Sequence, residues 1–546
     1  MERSIYVKDF TDGDDASRIR AAIERAIAAG AAKVVFEPGR YILQSTVIFE
    51  TEGFEHDASS TEAGFKDCHI VVQGARGLTL QGAVDEQGEP ATVLVGYNDG
   101  RIHGYLPSIL WCEDCEELTL NSLAFTREPN FASAGVIIHK DDRHTVVEVF
   151  EGNRCEETMG AYCMNRFDPG TGALTGESVT YGYGTEKPWV RTGERQLTLE
   201  DADVASKVRV GEFLSWHQGA RTDFQTYFAR CNDLQLSNIR TLNANGFAML
   251  AESCRGISAE RVVFRPDGNK LFTAPRDAWK LFKCSGEIHI SGMHIEGVRM
   301  DGQNMHSNWL ELEQIVHKRE AVFYCKYTFA PLITGSTVEC HIGEDTFPLT
   351  VADWKHEAKR GLGHLYRIQF HEDLPVGTAN GMLAAAACWE PDRYVCKDSS
   401  FINIAGAGHL VRYDHLYLLN NLYKNTMNPG VLLGAELPVH SEGGHATDIM
   451  IKDCEFDNCG FFPRYGAAGC IGIKSAGFSG KYNKNIMIVN NVMRNSEIGV
   501  HCLDGDEVYV IRNTFDHVAA PVLADESVGG YIFEQHSRIA NAVSGK

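Results

Sequence analysis

The sequence predicts an all-β chain built on a parallel β-helix (a solenoid), with an N-terminal helix and two inserted small β-barrel or sandwich domains. Three observations carry this expectation. Short phrases of period-two alternation recur, among them Gly77-Leu-Thr-Leu80, Glu117-Leu-Thr-Leu120, Asp233-Leu-Gln-Leu236 and Glu287-Ile-His-Ile290, and such alternation marks strands with one buried face. The phrases repeat at a fixed step: 513 − 491 = 22 residues from Asn491 to Asn513, and 257 − 234 = 23 from Leu234 to Ile257, a period that belongs to solenoids. The later phrases end in Asn, as in Leu416-Tyr-Leu-Leu-Asn-Asn-Leu-Tyr-Lys-Asn425 and Ile486-Met-Ile-Val-Asn-Asn-Val-Met-Arg-Asn495. Asn suits a stacked corner because its amide bonds along the axis and it tolerates left-handed backbone.

Taken in order, Thr11-Asp-Gly-Asp-Asp-Ala-Ser17 is rich in helix-capping side chains. Arg18 to Ala29 is an alanine-rich amphipathic helix that stops at Gly30. Lys33-Val-Val-Phe-Glu-Pro-Gly-Arg-Tyr-Ile-Leu43 then reads as strand, turn and strand. This block resembles the N-terminal cap of right-handed parallel β-helix proteins of the pectate-lyase superfamily, which implies a right-handed solenoid plugged by the helix. Cys115, Cys231, Cys254 and Cys284 precede strand phrases and read as an inward ladder of small apolar side chains. Residues 129–228 and 316–396 lack the Asn-corner phrase and carry mixed strands, such as Thr145-Val-Val-Glu-Val-Phe150 and Leu365-Tyr-Arg-Ile-Gln-Phe370. They divide the chain into first coils (1–128), an inserted β domain (129–228), central coils (229–315), a second inserted domain (316–396) and C-terminal coils (397–546). Insertions on solenoid loops collect on one face, often the binding face.

Bulk properties narrow the function. The 546 residues are 44% hydrophobic and 23% charged, a globular composition with material for a large core. A formal net charge of −22 argues against nucleic acid, whose affinity comes from Lys and Arg on phosphates. It also disfavours a strongly anionic polysaccharide, so a neutral glycan fits best. No apolar run near membrane-spanning length and no signal core are visible. The expectation is therefore no membrane partner and a cytoplasmic setting with reduced thiols, or secretion if a signal was removed; a homo-oligomer is compatible. Cys112-Glu-Asp-Cys115 has no second pair at zinc spacing, so no metal and no cofactor are called for.

The chemistry concentrates in residues 273–312. Asp277 and Asp301 stand 301 − 277 = 24 residues apart, close to one turn of the repeat, which puts two acids on neighbouring rungs about 4.8 Å apart. Around them lie Arg276, Trp279, Gln303, Asn304, His306, Asn308, Trp309 and Glu311. Tryptophans beside carboxylates and amides suit a sugar ring, with Arg276, Trp279, His306 and Trp309 as binding groups. Following rungs add Arg412, Asp414, Glu436, His440 and Glu442. Glycoside hydrolysis needs two carboxylates whose separation selects retention or inversion, and either Asp can pair with Glu442 across a wider gap.

Asp277-Ala-Trp-Lys-Leu-Phe-Lys-Cys-Ser-Gly-Glu-Ile, followed by Met300-Asp-Gly-Gln-Asn-Met-His306, resembles the paired motif of the β-helix exo-α-galactosidases of glycoside hydrolase family 110. The resemblance covers most of the chain, including the late Ser441-Glu442-Gly443. It implies a right-handed β-helix with two inserted barrels that removes terminal α-linked galactose, or a related neutral sugar, with inversion and without metal. It carries over Asp277 as the first acid, Asp301 as the second of a tandem pair, Asn304 and His306 as the polar tail, and Glu442 as the late-coil acid. Met300 departs from it, standing where the family keeps the first acid of the tandem. The expected roles are Asp277 as partner acid and Asp301 or Glu442 as the base on water. Two rivals stay open: a polysaccharide lyase, with Arg276, Lys280 or Lys283 beside a uronate, and a non-catalytic carbohydrate-binding solenoid.

Overall fold

The computed structural model describes residues 4–50, 65–97, 106–157, 159–180, 187–217, 224–444, 446–477, 482–525, 528–529, 532–533 and 538–540. The chain forms a right-handed parallel β-helix. Each full coil contributes a strand to each of three stacks, the first two merging, among the described residues, in a 23-stranded sheet and the third forming a 13-stranded one. One coil runs Ser285–Ser291, His294–Val298 and Gln303–Asn308; the next runs Pro391–Lys397, Ser400–Ile404 and His409–Arg412. They pair in parallel with Ile288 opposite Tyr394, Ile295 opposite Phe401 and Gln303 opposite His409.

Alternation aims every second side chain into one continuous core, in which Leu234, Ile257, Ile288, Leu416, Ile449, Ile486 and Val508 stack along the axis. Cys115, Cys231, Cys254 and Cys284 lie in that core as free thiols. Sγ of Cys254 donates to Phe228 O and Sγ of Cys284 to Ala251 O, at 3.5 and 3.3 Å. Burial raises the pKa of Cys254 well above that of an ordinary thiol. The corner asparagines form ladders of two kinds. Asn403, Asn425 and Asn458 hold left-handed backbone (φ 54–56°), and each amide reaches the one before it, Asn425 Nδ2 donating to Asn403 Oδ1 at 3.2 Å and Asn458 Nδ2 to Asn425 Oδ1 at 3.1 Å. Asn491 and Asn513 turn inward instead, joined at 2.9 Å.

The N-terminal helix α1 (Asp15–Ala29) closes one end, burying Ala16, Ile19, Ala22, Ile23 and Ala26. The acids of the capping segment are structural. Asp14 Oδ1 accepts Ser17 N at the helix start, its Oδ2 accepts Ser45 N at 2.7 Å, and Asp15 Oδ2 accepts Ile42 N at 2.6 Å. Gly30 ends the helix in left-handed conformation, φ 58°.

Both insertions carry their own cores. The first is a seven-stranded antiparallel sheet from Ala132–Lys140 to Phe213–His217, packed around Ile137, Val147, Trp189 and Trp216. The second is a closed six-stranded barrel that takes in the whole of Leu310–His317 and ends with Leu383–Ala386, around Leu312, Phe323, Tyr366 and Trp389. Buried charges dock both onto the coils: Arg299 donates to Asn165 Oδ1 and Ser215 Oγ of the first, and Lys283 Nζ donates to Thr328 O of the second at 2.6 Å.

Candidate active site

The site grows on the outer face of the third stack, and strand parity decides which side chains reach it. In Trp279–Phe282, Trp279 and Leu281 enter the core, so Lys280 and Phe282 face outward. The next strand, Gln303–Asn308, registers Gln303 with Trp279 and sends Asn304 and His306 outward opposite Lys280 and Phe282. His409–Arg412 then brings Arg412 opposite His306. These outward residues line a cavity of about 830 Å³.

Asp277 and Asp301 sit at the corners that begin two successive strands. The 24-residue step is one coil, since Ala278 N donates to Asp301 O at 3.1 Å. The two acids touch through the backbone, with Asp301 N donating to Asp277 Oδ1 at 3.2 Å. Asn304 Nδ2 donates to Asp277 Oδ2 at 3.2 Å, and Ala407 N to Asp301 Oδ1 at 2.7 Å. Both are buried. Burial first, then the neighbouring Asp277 charge, pushes Asp301 up to about 8. Burial also raises Asp277, but Lys280 and Arg276 pull against it. The pair therefore holds one proton at neutral pH, as expected when two carboxylates share a site.

Glu442 arrives from elsewhere. It lies on the short strand Glu442–Gly443, which runs antiparallel to Gln303–Asn308 and places Glu442 opposite Asn308. Gly443 must be glycine, because a Cβ there would stand 2.8 Å from Trp309 N. Glu436 holds the loop leading to it by accepting Val439 N and His440 N, each at 2.9 Å. The barrel clamps the same loop: Lys326 Nζ donates to Val439 O, and the Tyr327 hydroxyl meets His440 Nδ1 at 3.1 Å. Glu442 Oε2 is 2.8 Å from Arg412 Nη1, and its Oε1 is 3.5 Å from His306 Nε2 and 3.9 Å from Lys280 Nζ. Burial alone would raise its pKa, but the charge of Arg412, with that of Lys280 behind it, outweighs burial and holds it well below the usual carboxylate range. Burial keeps His306 neutral. Its Nδ1 is 2.7 Å from Ser307 O, which can only accept, so Nδ1 carries the hydrogen and Nε2 faces the cavity as an acceptor.

Of the residues named from sequence, Arg276, Asp277, Asp301, Asn304, His306, Arg412, Glu436, His440 and Glu442 line one cavity. Trp279 and Trp309 do not, and the expectation that they stack on a sugar is corrected. Trp279 is a fully buried member of the solenoid core, on the same parity as Leu281. Trp309 is buried against Ala385 and Ala435 between coil and barrel, edge-on to His341. Gln303 points inward, where the Tyr394 hydroxyl donates to its Oε1. Asp414 turns to the other side of its coil, accepting Thr447 N at 2.8 Å, and Glu311 is exposed on the barrel. The aromatic walls are Phe247, Phe282, Tyr327 and Tyr465, and Arg464 and Lys474 close the far end. Parity would have found Phe282 once Trp279 was placed in the core. Nothing in the sequence marks Tyr327, Arg464 or Lys474, which reach the cavity from the barrel and from later coils.

No family model matches the chain. It is 22% identical over 578 residues to alpha-1,3-galactosidase A of Bacteroides fragilis, covering 98% of this chain and 87% of that protein. It is 23% identical over 443 residues to alpha-1,3-galactosidase B of Akkermansia muciniphila, covering 75% of this chain and 54% of that protein. Among solved structures, the A-module of a mannuronan C-5 epimerase from Azotobacter vinelandii matches with a TM-score of 0.42 at 13% identity, covering 96% of this chain and 98% of that one. The catalytic unit of an alpha-1,3-glucanase from Streptomyces thermodiastaticus matches with a TM-score of 0.41 at 9% identity, covering 97% and 68%. The chain thus resembles the alpha-1,3-galactosidases along nearly its whole length.

Proposed function

We propose that the protein is a glycoside hydrolase of the α-galactosidase kind, which removes a terminal α-linked galactose from a glycan by an exo-acting, inverting mechanism. The observation that carries this reading is the opposition of two carboxylate environments in one cavity. The Asp277–Asp301 pair keeps a proton, Asp301 being pushed up to about 8, while Glu442 is held ionised. Environments that drive carboxylates apart in this way assign acid and base. Here the pair donates its proton to the departing glycosidic oxygen, and Glu442 takes one from the attacking water. Of the two bases expected, Glu442 takes the role, and Asp301 joins Asp277 on the acid side. Glu442 pairs with Arg412 and stands beside His306, and its charge also acts on Asp301; inversion, with a water between base and sugar, is what the resemblance implies and the product anomer tests. Arg412, Lys280 and neutral His306 supply donors and an acceptor for sugar hydroxyls, and the galactosidase names of the full-length relatives supply the choice of sugar.

The test is hydrolysis of α-galactosyl oligosaccharides, with the anomer of the first product followed by NMR in the wild type and in Asp301→Asn and Glu442→Gln. The expected result is β-galactose from the wild type and a loss of about 10²–10⁴ in kcat in each variant. Release of α-galactose would reject inversion. Full activity in Glu442→Gln would reject its role as base.

A further inference from the structure

The same cavity extends past the reacting groups to a cationic end that the mechanism leaves unused. His306 registers with Arg412 on the next coil, and pairing of Val411 with Leu433 and of Leu433 with Ile473 continues the column to Gly434 and then Lys474. Lys474 therefore lies two rungs beyond Arg412, about 10 Å along the axis at about 4.8 Å per rung.

Two glycines clear the space around it. Gly434 leaves the column empty between Arg412 and Lys474, and it admits no side chain, since a Cβ would stand 2.3 Å from Lys474 O. Gly466, φ +82°, lies directly under the Lys474 ammonium, which occupies the place a Cβ would take. Among the described residues the Lys474 ammonium has no hydrogen-bond or ion-pair partner, while its backbone N donates to Leu433 O at 2.9 Å. Asp504, which senses its charge, is engaged by Ser475 N at 2.6 Å and by Asn483 Nδ2. Arg464 lines the same cavity and is fixed in place, its Nη2 donating to Ala405 O at 2.9 Å and its backbone N to Asn428 Oδ1 at 2.7 Å. The carboxylates of the cavity are committed elsewhere: Glu442 to Arg412, Glu436 to its own loop. In a chain of net charge −22, a cavity end lined by Lys474 and Arg464 is a local reversal of the surface field, and such reversals select for ligand charge.

We infer that Lys474 and Arg464 form a subsite for an anionic substituent, a sulfate ester or a uronate carboxylate, carried on the sugar next to the one released. The inference rests on the proposed use of the cavity as a glycosidase site and names the chemistry of its second sugar. It reverses the expectation of a wholly neutral glycan drawn from net charge.

The experiment uses α-galactosyl disaccharides whose second sugar is neutral, sulfated or a uronic acid, with wild type, Lys474→Gln and Arg464→Gln. The wild type is expected to favour an anionic second sugar by about tenfold or more in kcat/KM, mainly through KM, the scale of one charge-assisted hydrogen bond. The preference should weaken in high salt and collapse in Lys474→Gln, while the neutral substrate is turned over as before. Which of the two anions is preferred identifies the source of the charge. Equal kcat/KM for neutral and anionic substrates, or a preference that survives both substitutions, would overturn the inference and leave the glycosidase reading standing. Calorimetric titration of the same sugars into Asp301→Asn separates the two failures. Tighter, Lys474-dependent binding of the anionic sugars without hydrolysis of any substrate by the wild type would sink the catalytic reading and keep the subsite.

Discussion

Replacing Asp301 by Asn should stabilise the protein at neutral pH while disabling it. In the unfolded chain Asp301 ionises near its ordinary value of 3.8, whereas burial beside Asp277 keeps it protonated in the folded state to about 8. A folded-state pKa raised in this way gives stability that is complete below about pH 4 and is lost progressively as pH rises towards 8. At pH 7 the interval is 7 − 3.8, or about 3 pH units, and at about 1.4 kcal/mol per unit the cost of holding the proton is on the order of 4 kcal/mol. Asn needs no proton and keeps an Oδ1 to accept Ala407 N, the bond now measuring 2.7 Å. Asp301→Asn should therefore gain a few kcal/mol over wild type at pH 7 and little at pH 4, with kcat down about 10²–10⁴. Urea unfolding followed by tryptophan fluorescence at pH 4, 5.5 and 7 measures the difference through the midpoint and slope. A variant less stable than wild type at pH 7, or a gain that does not change with pH, would refute the proton held by the Asp277–Asp301 pair at neutral pH.

Other outcomes follow from the same geometry. The pH–rate profile should fall on the alkaline side near pH 8 as the aspartate pair loses its proton, while the acid limb, set by Glu442, lies below the usual carboxylate range. Arg412→Gln removes the nearest opposing charge, so steady-state kinetics should show the acid limb moving up towards ordinary glutamate values. Trp279→Ala empties the core rather than a sugar platform. It should cost about 3–5 kcal/mol in chemical denaturation, with KM unchanged in the folded fraction. A thiol reagent applied to the native protein should label Cys155 and Cys388, which are half-buried, well before the buried ladder of Cys115, Cys231, Cys254 and Cys284, because the reagent cannot reach thiols packed inside the solenoid core. Mass spectrometry of the labelled peptides reads this directly.

The parts of this molecule made by repetition were legible in its sequence. The alternation, the 22- to 24-residue step and the corner asparagines are each set by neighbours one coil away, so the local pattern contains the information. The same logic placed Asp277 beside Asp301. Parity also held the correction to Trp279: with Leu281 two positions on, both had to face the same way, and a buried Leu281 takes the tryptophan inward with it. The chemical appeal of a tryptophan near carboxylates overrode a rule the strand had already stated. Trp309 failed for a different reason, since it lies where coil meets barrel and its neighbours Ala385 and Ala435 are remote in sequence. Tyr327, Arg464 and Lys474 reach the cavity through the barrel and through coils of irregular length, where a spacing argument has nothing to count.

The two halves of the proposed chemistry therefore have different structural origins. The aspartate pair is a product of the repeat, since any two acids one coil apart at a buried corner are forced together and must share a proton. Glu442 depends on an insertion: its loop is held by Lys326 and Tyr327 of the barrel, and its charge is fixed by Arg412 on a neighbouring coil. Solenoid rungs alone hold like residues in like environments, so they supply a dyad more readily than an opposed acid and base. The barrel breaks that equivalence by delivering a third carboxylate against cations, so that one cavity contains both a protonated and an ionised acid at the same pH. On this account Met300, standing where the resembling family keeps another acid, leaves the proposed acid–base pairing intact, because the opposing charge comes from the clamped loop.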